Sequence, residues 1–284
     1  MLSAIAATIG CGTFGQRKSY TPEALRAEML RRAPDVPPED LVVPFVVPPE
    51  LVLRARGVVK TLFDDRRAAT ALARALSAPD GFNLQYEWAV NNSAETTLRH
   101  GRGTCLGLSS VLVGLARQVG LDAYYVDASQ FPERREERDV EVVAGHIGVG
   151  ITTSRGILYV DFAGEMNRRS YFVRIDDLRA AAHFQNNLGY ELIHLAQQAG
   201  APVPWEKVRA RFELATRIDP QFSRAWNNLG IALARLGRNE LAARAYARAL
   251  EIDPGLSPAR DNLALLRARS STPTERLGTL STSD

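Results

Sequence analysis

Hydrophobic and polar positions change their period several times along the chain, and each change marks an element. Over 50–63 and 65–77 apolar residues recur at three- and four-residue steps, and the second stretch closes at Ala78-Pro79-Asp80-Gly81; both are predicted helices. A third, shorter helix is predicted over 84–98. Beyond it Leu108, Val111, Leu112, Leu115, Ala116 and Val119 mark one face of a helix, with Thr104 placed to cap its start and Gly120 to stop it. After Gly120 the period falls to two. The segments 121–128, 140–152 and 156–163 alternate and are rich in β-branched and aromatic residues, as strands are. Between the first two, the charged run FPERREERD (131–139) reads as a solvated connection, or as a rim over a site.

From about 176 the helical period returns and repeats. Ile218-Asp219-Pro220 recurs as Ile252-Asp253-Pro254, 34 residues on, and Asn228-Leu229 recurs as Asn262-Leu263 at the same interval. Asn187-Leu188 precedes Asn228-Leu229 by 41 residues. A 34-residue period of paired helices resembles the tetratricopeptide repeat. In the middle unit Trp226, Leu229, Gly230, Gly237, Ala242, Tyr246, Ala249 and Pro254 carry the resemblance; the first unit keeps Leu188, Gly189, Phe212, Ala215 and Pro220 around an insertion at AGAPVPW. Residues 258–269 read as a capping helix and the polar tail 270–284 as disordered. The repeated Asn187, Asn228 and Asn262 read first as structural; Arg224, Asn227 and Arg235 are weaker candidates for holding a partner segment.

At the other end, six prolines fall within Pro34–Pro49, which predicts an extended lead-in. Residues 1–11, MLSAIAATIGC, form a short apolar run ending on Cys11. Such an ending resembles that of a bacterial lipoprotein signal, whose cysteine is acylated. Two readings stay open: a membrane anchor through lipidated Cys11, or a plain N-terminus on a cytoplasmic protein.

Composition narrows the function classes. The chain has 284 residues, 45% hydrophobic and 24% charged, with a net charge of +3. This is the mixture of a folded globular protein, with no apolar run near the ~18 residues of a membrane span. Charges of both signs interleave without a basic block, so no nucleic-acid partner is expected. Cys11 and Cys105 are too few for a disulfide framework or a four-thiolate zinc site. His100, His183 and His194 show no metal-ligand spacing, and GRGTCLGLSS lacks the Lys-Ser/Thr pair of a phosphate loop, so neither metal nor cofactor is expected. His100, five residues before Cys105, reads as a surface residue or as part of a cleft.

Cys105 has different neighbours from Cys11. It opens the strongest helix, where unpaired N–H groups and the positive end of the helix dipole favour an anion. His146 and Asp161 lie on successive predicted strands. A turn at Thr153-Ser154 sets them directly opposite each other, with Ile147 facing Val160 and Val149 facing Leu158. Gly148 and Gly150, on the same face as His146, would let the Cys105 helix or a substrate backbone approach closely. Cys–His–Asp is the chemistry of nucleophilic acyl transfer: imidazole takes the thiol proton, carboxylate orients the imidazole, and a helix-start N–H helps hold the oxyanion. Trp88, Asn91, Asn92 and Gln85 are candidates for the second oxyanion donor.

The run NSAETTLRHGRGTCLGLSSVLVGLARQVGLDAYYV, then GHIGV, then LYVDF, resembles the transglutaminase-like superfamily, whose core is papain-like. The resemblance covers 84–163. It implies that Cys105 is the nucleophile, His146 the base and Asp161 the orienting acid, with Arg102-Gly103 matching the turn before the cysteine. Ile147-Gly148 and Phe162 depart from the family's usual aromatic residue after the histidine and proline after the aspartate. Fusion of such a core to C-terminal tetratricopeptide repeats is similar to a known bacterial architecture.

The expected fold is thus α+β. A leader and Pro-rich lead-in (1–48) precede a transglutaminase-like domain with a small antiparallel sheet (49–175) and an all-α repeat segment (176–269). The expected function is thiol-dependent acyl transfer on a peptide amide, with the repeats binding a protein partner or substrate. The alternative is a non-catalytic scaffold of the same architecture.

Overall fold

Thr21 and Pro22 open a helix that the prolines downstream conceal. Thr21 Oγ1 accepts the Ala24 N–H at 3.2 Å, and Pro22 sits at the first helical position, where no N–H is needed. This helix, α1 (Pro22–Arg32), lies inside the segment expected to be leader and buries Leu25 and Met29. The lead-in after it is irregular rather than extended, with turns at 34–35 and 44–45 and a 3₁₀ turn, Pro38–Asp40, because proline favours turns as well as extended backbone, and it buries Leu41, Val43 and Phe45. The computed structural model describes residues 3–7, 19–88, 90–128, 133–137, 140–144, 146–164 and 172–271. Cys11 and the tail from 272 lie outside them.

Helices α2 (Pro49–Val59) and α3 (Asp65–Ser77) follow the predicted periods, α3 capped by Asp64 on the Arg67 N–H. The helix predicted over 84–98 is instead extended at its start. Gln85–Tyr86 (β2) pairs with Arg102–Gly103 (β3), and only Ala94–His100 (α4) is helical. Ser93 caps α4, and Gly101, at φ +72°, ends it in the left-handed conformation that glycine adopts without strain. Helix α5 (Cys105–Gln118) begins on Cys105 itself, with Thr104 Oγ1 accepting the Gly107 N–H at 3.3 Å.

The main sheet has the order β1 (Ser3–Ala7), β8 (Gly156–Asp161), β7 (Ile147–Thr153), β4 (Asp122–Asp127), β9 (Val173–Arg174), all neighbours antiparallel. Two predicted segments behave differently. The strand expected over 140–152 breaks before His146: Val140–Ala144 (β6) pairs with Glu133–Glu137 (β5), while β7 belongs to the main sheet. The charged run expected as a connection therefore contains a strand; its alternating charges hid a backbone that pairs locally. Strand β1 falls within the apolar run considered as a signal and occupies the edge beside β8.

The hairpin β7–β8 is offset by two residues from the expected register. Its turn runs through Ser154-Arg155, so Val149 faces Val160 and Ile151 faces Leu158. Gly156 adopts φ +96° at the end of the turn, and Asp65 accepts both the N–H and the hydroxyl of Ser154, at 2.6 and 2.7 Å. A shift of two leaves every side chain on its expected face; a shift of one would have exchanged the faces. Tyr125, Val149, Ile151, Leu158 and Val160 share one buried cluster, in which β4 and β7 lie against α5 and β8 against α3. On the other face a Cβ at Gly150 would lie 2.4 Å from Tyr124 Cε2, so that glycine makes room for a tyrosine ring rather than for the Cys105 helix.

Helices α6 (Asp177–Gln198), α7 (Trp205–Ile218), α8 (Ser223–Arg235), α9 (Asn239–Ile252) and α10 (Ser257–Ser271) complete the chain. Their packing carries the repeat signature. A Cβ at Gly189 would meet Phe212 at 2.6 Å, and one at Gly230 would meet Tyr246 at 2.5 Å, so each glycine seats the aromatic ring of its partner helix. The asparagines form a buried ladder in which Asn228 donates to Asn186, Asn227 to Asn228 and Asn262 to Asn227. Asn186, not Asn187, is the first rung.

The array does not begin a separate core at 176. Leu178, Phe184, Leu214, Ile218 and Phe222 are buried in the same apolar cluster as α5 and the sheet, while Ile193, Val208 and Phe212 on other faces of α6 and α7 join α8–α10 in a second cluster. Polar ties reinforce the join. Arg117 makes two hydrogen bonds to the buried Asp177, which also accepts the Tyr20 N–H, and Arg211 reaches back to Asp40.

Candidate active site

Cys105 is held at the start of α5 by close backbone packing. A Cβ at Gly107 would stand 2.8 Å from Thr97 Oγ1 and 3.0 Å from the Asn92 carbonyl, so α4 and the segment before it press against the first turn. Thr104 N–H donates to the Val90 carbonyl at 3.1 Å, which brings 90–92 alongside the cysteine. Cys105 is buried, 8% exposed.

His146 arrives from the other side, at the break between β6 and β7. Its carbonyl accepts the Ala128 N–H at 2.9 Å, fixing its backbone to the end of β4. Its Nε2 is 2.8 Å from Asp161 Oδ1. In the observed register Asp161 stands opposite Gly148, so the bond to His146 runs diagonally across the hairpin. Asp161 is fully buried, and its Oδ1 also accepts the Ala163 N–H at 2.9 Å. The Cys105 thiol is close enough to the same imidazole to raise its pKa together with Asp161. The three expected residues thus meet at one point, by a different register from the one that predicted it.

The electrostatics favour a charged imidazole. Burial alone would lower the His146 pKa, but the hydrogen bonds and charges of Asp161 and Cys105 outweigh it and raise it to about 10.

The candidate oxyanion donors separate. Asn91 donates through Nδ2 to the Phe184 carbonyl at 3.1 Å, and Asn92 to the Arg102 carbonyl at 3.2 Å. Gln85 lies exposed on β2. Trp88 packs against α6, its ring 5.8 Å from Tyr190 and 5.1 Å from His194. Glu191 of α6 lies beside the Asn91 backbone, and burial pushes its carboxyl up. Helix α6 therefore grips the segment beside Cys105. His100 is exposed at the end of α4. Among the described residues no group of three His, Cys, Asp or Glu side chains is arranged to hold a metal, and no helix is long and apolar enough to cross a membrane.

The family model for the transglutaminase-like superfamily matches residues 54–156, and the model for the tetratricopeptide repeat matches 223–256. The chain carries a transglutaminase-like domain and a tetratricopeptide repeat. The first match runs from α2 to the β7–β8 turn and includes Cys105 and His146; Asp161 lies just beyond it. The second is the α8–α9 hairpin and the turn after it. Over 54 residues the chain is 46% identical to the peroxisomal targeting signal receptor of Saccharomyces cerevisiae and 43% identical to that of Candida glabrata. Each alignment covers 19% of this chain and 9% of the receptor, so the chain matches less than a tenth of those proteins' length.

One cluster escaped the sequence reading. Asp127, His183 and Arg224 come from β4, α6 and α8, and only the fold brings them together. His183 was set aside because it has no metal-ligand spacing, and Arg224 was noted only as a partner-binding candidate.

Proposed function

We propose that the protein is a thiol-dependent acyl-transfer enzyme acting on a peptide amide, with Cys105 as nucleophile, His146 as base and Asp161 as orienting acid. The observation that carries this reading is the His146–Asp161 hydrogen bond of 2.8 Å beside Cys105 at the start of a buried helix, with the His146 pKa raised to about 10. With Nε2 engaged by Asp161, Nδ1 takes the thiol proton. The thiolate then attacks the amide carbonyl, and the imidazolium returns its proton to the leaving amine. Water or a second amine resolves the thioester, with His146 again as base. The Cys105 N–H helps hold the oxyanion. The repeats would bind a protein partner or the substrate chain, a reading supported by the match of 223–256 to the tetratricopeptide repeat.

The test is alkylation of the full chain carrying Cys11→Ser at pH 6, against a free thiol of pKa ~8.5. Cys105 is expected to react markedly faster, and Cys105→Ala or His146→Ala to abolish peptide-amide turnover without loss of the folded CD signal. A Cys105 no more reactive than the free thiol would instead favour a scaffold role.

A further inference from the structure

Arg224 lies in the first turn of α8, inside the tetratricopeptide repeat, yet its guanidinium is directed at the catalytic sheet. Its Nη2 is 2.6 Å from Asp127 Oδ2, and both side chains are mostly buried, 13% and 18% exposed. Asp127 is the last residue of β4 and pairs with Ile147; the next residue, Ala128, donates its N–H to the His146 carbonyl. A carboxylate on β4, one residue from the hydrogen bond that fixes the His146 backbone, is therefore held from the repeat. Helix α8 also lies against β6, the strand leading into His146.

The surroundings make Arg224 the specific element. Phe222 packs under the guanidinium, its ring centroid 5.6 Å from Arg224 Cζ, and its ring lies tilted against that of His183 at 4.2 Å. His183 Nε2 stands 3.8 Å from the same Asp127 oxygen, is almost fully buried and makes no hydrogen bond. Burial, and then the neighbouring Arg224, hold His183 neutral, so it does not compete for the carboxylate. Arg179 reaches the same interface but bonds Asp219 and the Gln221 carbonyl.

We propose that Arg224 is a positioning residue for His146, acting through Asp127 and the end of β4, so that the repeat helps set the geometry of the Cys105–His146 pair. This rests on the reading of that pair as the reactive one. Loss of the Arg224 anchor loosens the β4 end, which stays paired with β7 and β9, and a shift of under an ångström at His146 is enough to weaken its coupling to the thiol.

The experiment uses the full chain with Cys11→Ser and two readouts, the pH profile of Cys105 alkylation by iodoacetamide and the imidazole titration of His146 by NMR. Arg224→Ala and Asp127→Asn are expected to slow alkylation at pH 6 at least tenfold and to lower the His146 titration midpoint. Arg224→Lys should recover part of both. Arg179→Ala, which loosens the same interface without touching Asp127, should lower Tm and leave both profiles at wild type. If Arg224→Ala fails to fold, Asp127→Asn, which keeps the side-chain shape, carries the decision. Unchanged profiles in these variants, or an equal change in Arg179→Ala, overturn the proposal. A wild-type Cys105 no faster than a free thiol would sink the acyl-transfer reading instead, and the His146 titration would still decide whether Arg224 positions it.

Discussion

Asp161→Asn keeps the side-chain shape at the bottom of the site and removes its charge, 2.8 Å from His146 Nε2. In the fold the His146 pKa is about 10, against 6.5 for a free histidine. Because the folded value is the higher one, the stabilisation is complete below pH 6.5 and is lost as the pH climbs through about 10. Losing an opposite charge at contact distance lowers such a value by roughly 1–3 units. At 1.36 kcal/mol per unit this is a pH-dependent loss of about 1.4–4 kcal/mol at pH 6. It adds to a pH-independent part of about 1 kcal/mol from the hydrogen bond itself. Urea unfolding of both proteins at pH 6 and pH 10.5 measures the difference. The gap in stability should be large at pH 6 and should narrow to the pH-independent part at pH 10.5. A gap that is the same at both values would refute the argument, as would a wild-type His146 that titrates by NMR near 6.5.

Arg117→Ala leaves the buried Asp177 carboxylate with the Tyr20 N–H but without its guanidinium; a loss of about 3–5 kcal/mol is expected, read as a drop in Tm with the alkylation profile of Cys105 unchanged. Gly107→Ala puts a methyl 2.8 Å from Thr97 Oγ1 and 3.0 Å from the Asn92 carbonyl; overpacking should cost about 1–3 kcal/mol in urea unfolding and slow Cys105 alkylation, because the segment displaced is the one beside the thiol.

Local chemistry was the legible part of this chain. The end of α3 follows from Ala78-Pro79-Asp80-Gly81, the ends of α5 from Thr104 as a cap and Gly120 as a stop, and the repeat hairpins from a period that needs no distant partner. The alternation of β7 and β8 placed the right residues on the right faces, which is why Cys105, His146 and Asp161 were found despite a register two residues off. Gly156 begins β8 as expected, but its positive φ, which helps set the register, has no mark in the alternation of the strands. Interactions between distant segments were not legible. Helix α1 was hidden by the prolines after it, and the pairing of β1 with β8 and the Arg224–Asp127 contact join residues with no mark of each other in composition or spacing. The shared core had the same origin: Leu178 and Leu214 show helical periodicity, which says that a face is buried but not against what.

The ties between the N-terminal arm and the helices α6 and α7 have a consequence for synthesis. Tyr20 waits for Asp177, Arg32 for the Ile218 carbonyl and Asp40 for Arg211, separations of 157, 186 and 171 residues. At about 5–20 residues per second, the arm leaves the ribosome on the order of ten to thirty seconds before its partners. During that interval Leu25, Met29 and Leu41 have no helix α7 to close over, so the nascent chain carries exposed apolar surface until the first repeat emerges. A ribosome stalled before residue 211 would therefore display a complete Cys105 helix on an unfinished core, a species that chaperones would be expected to hold.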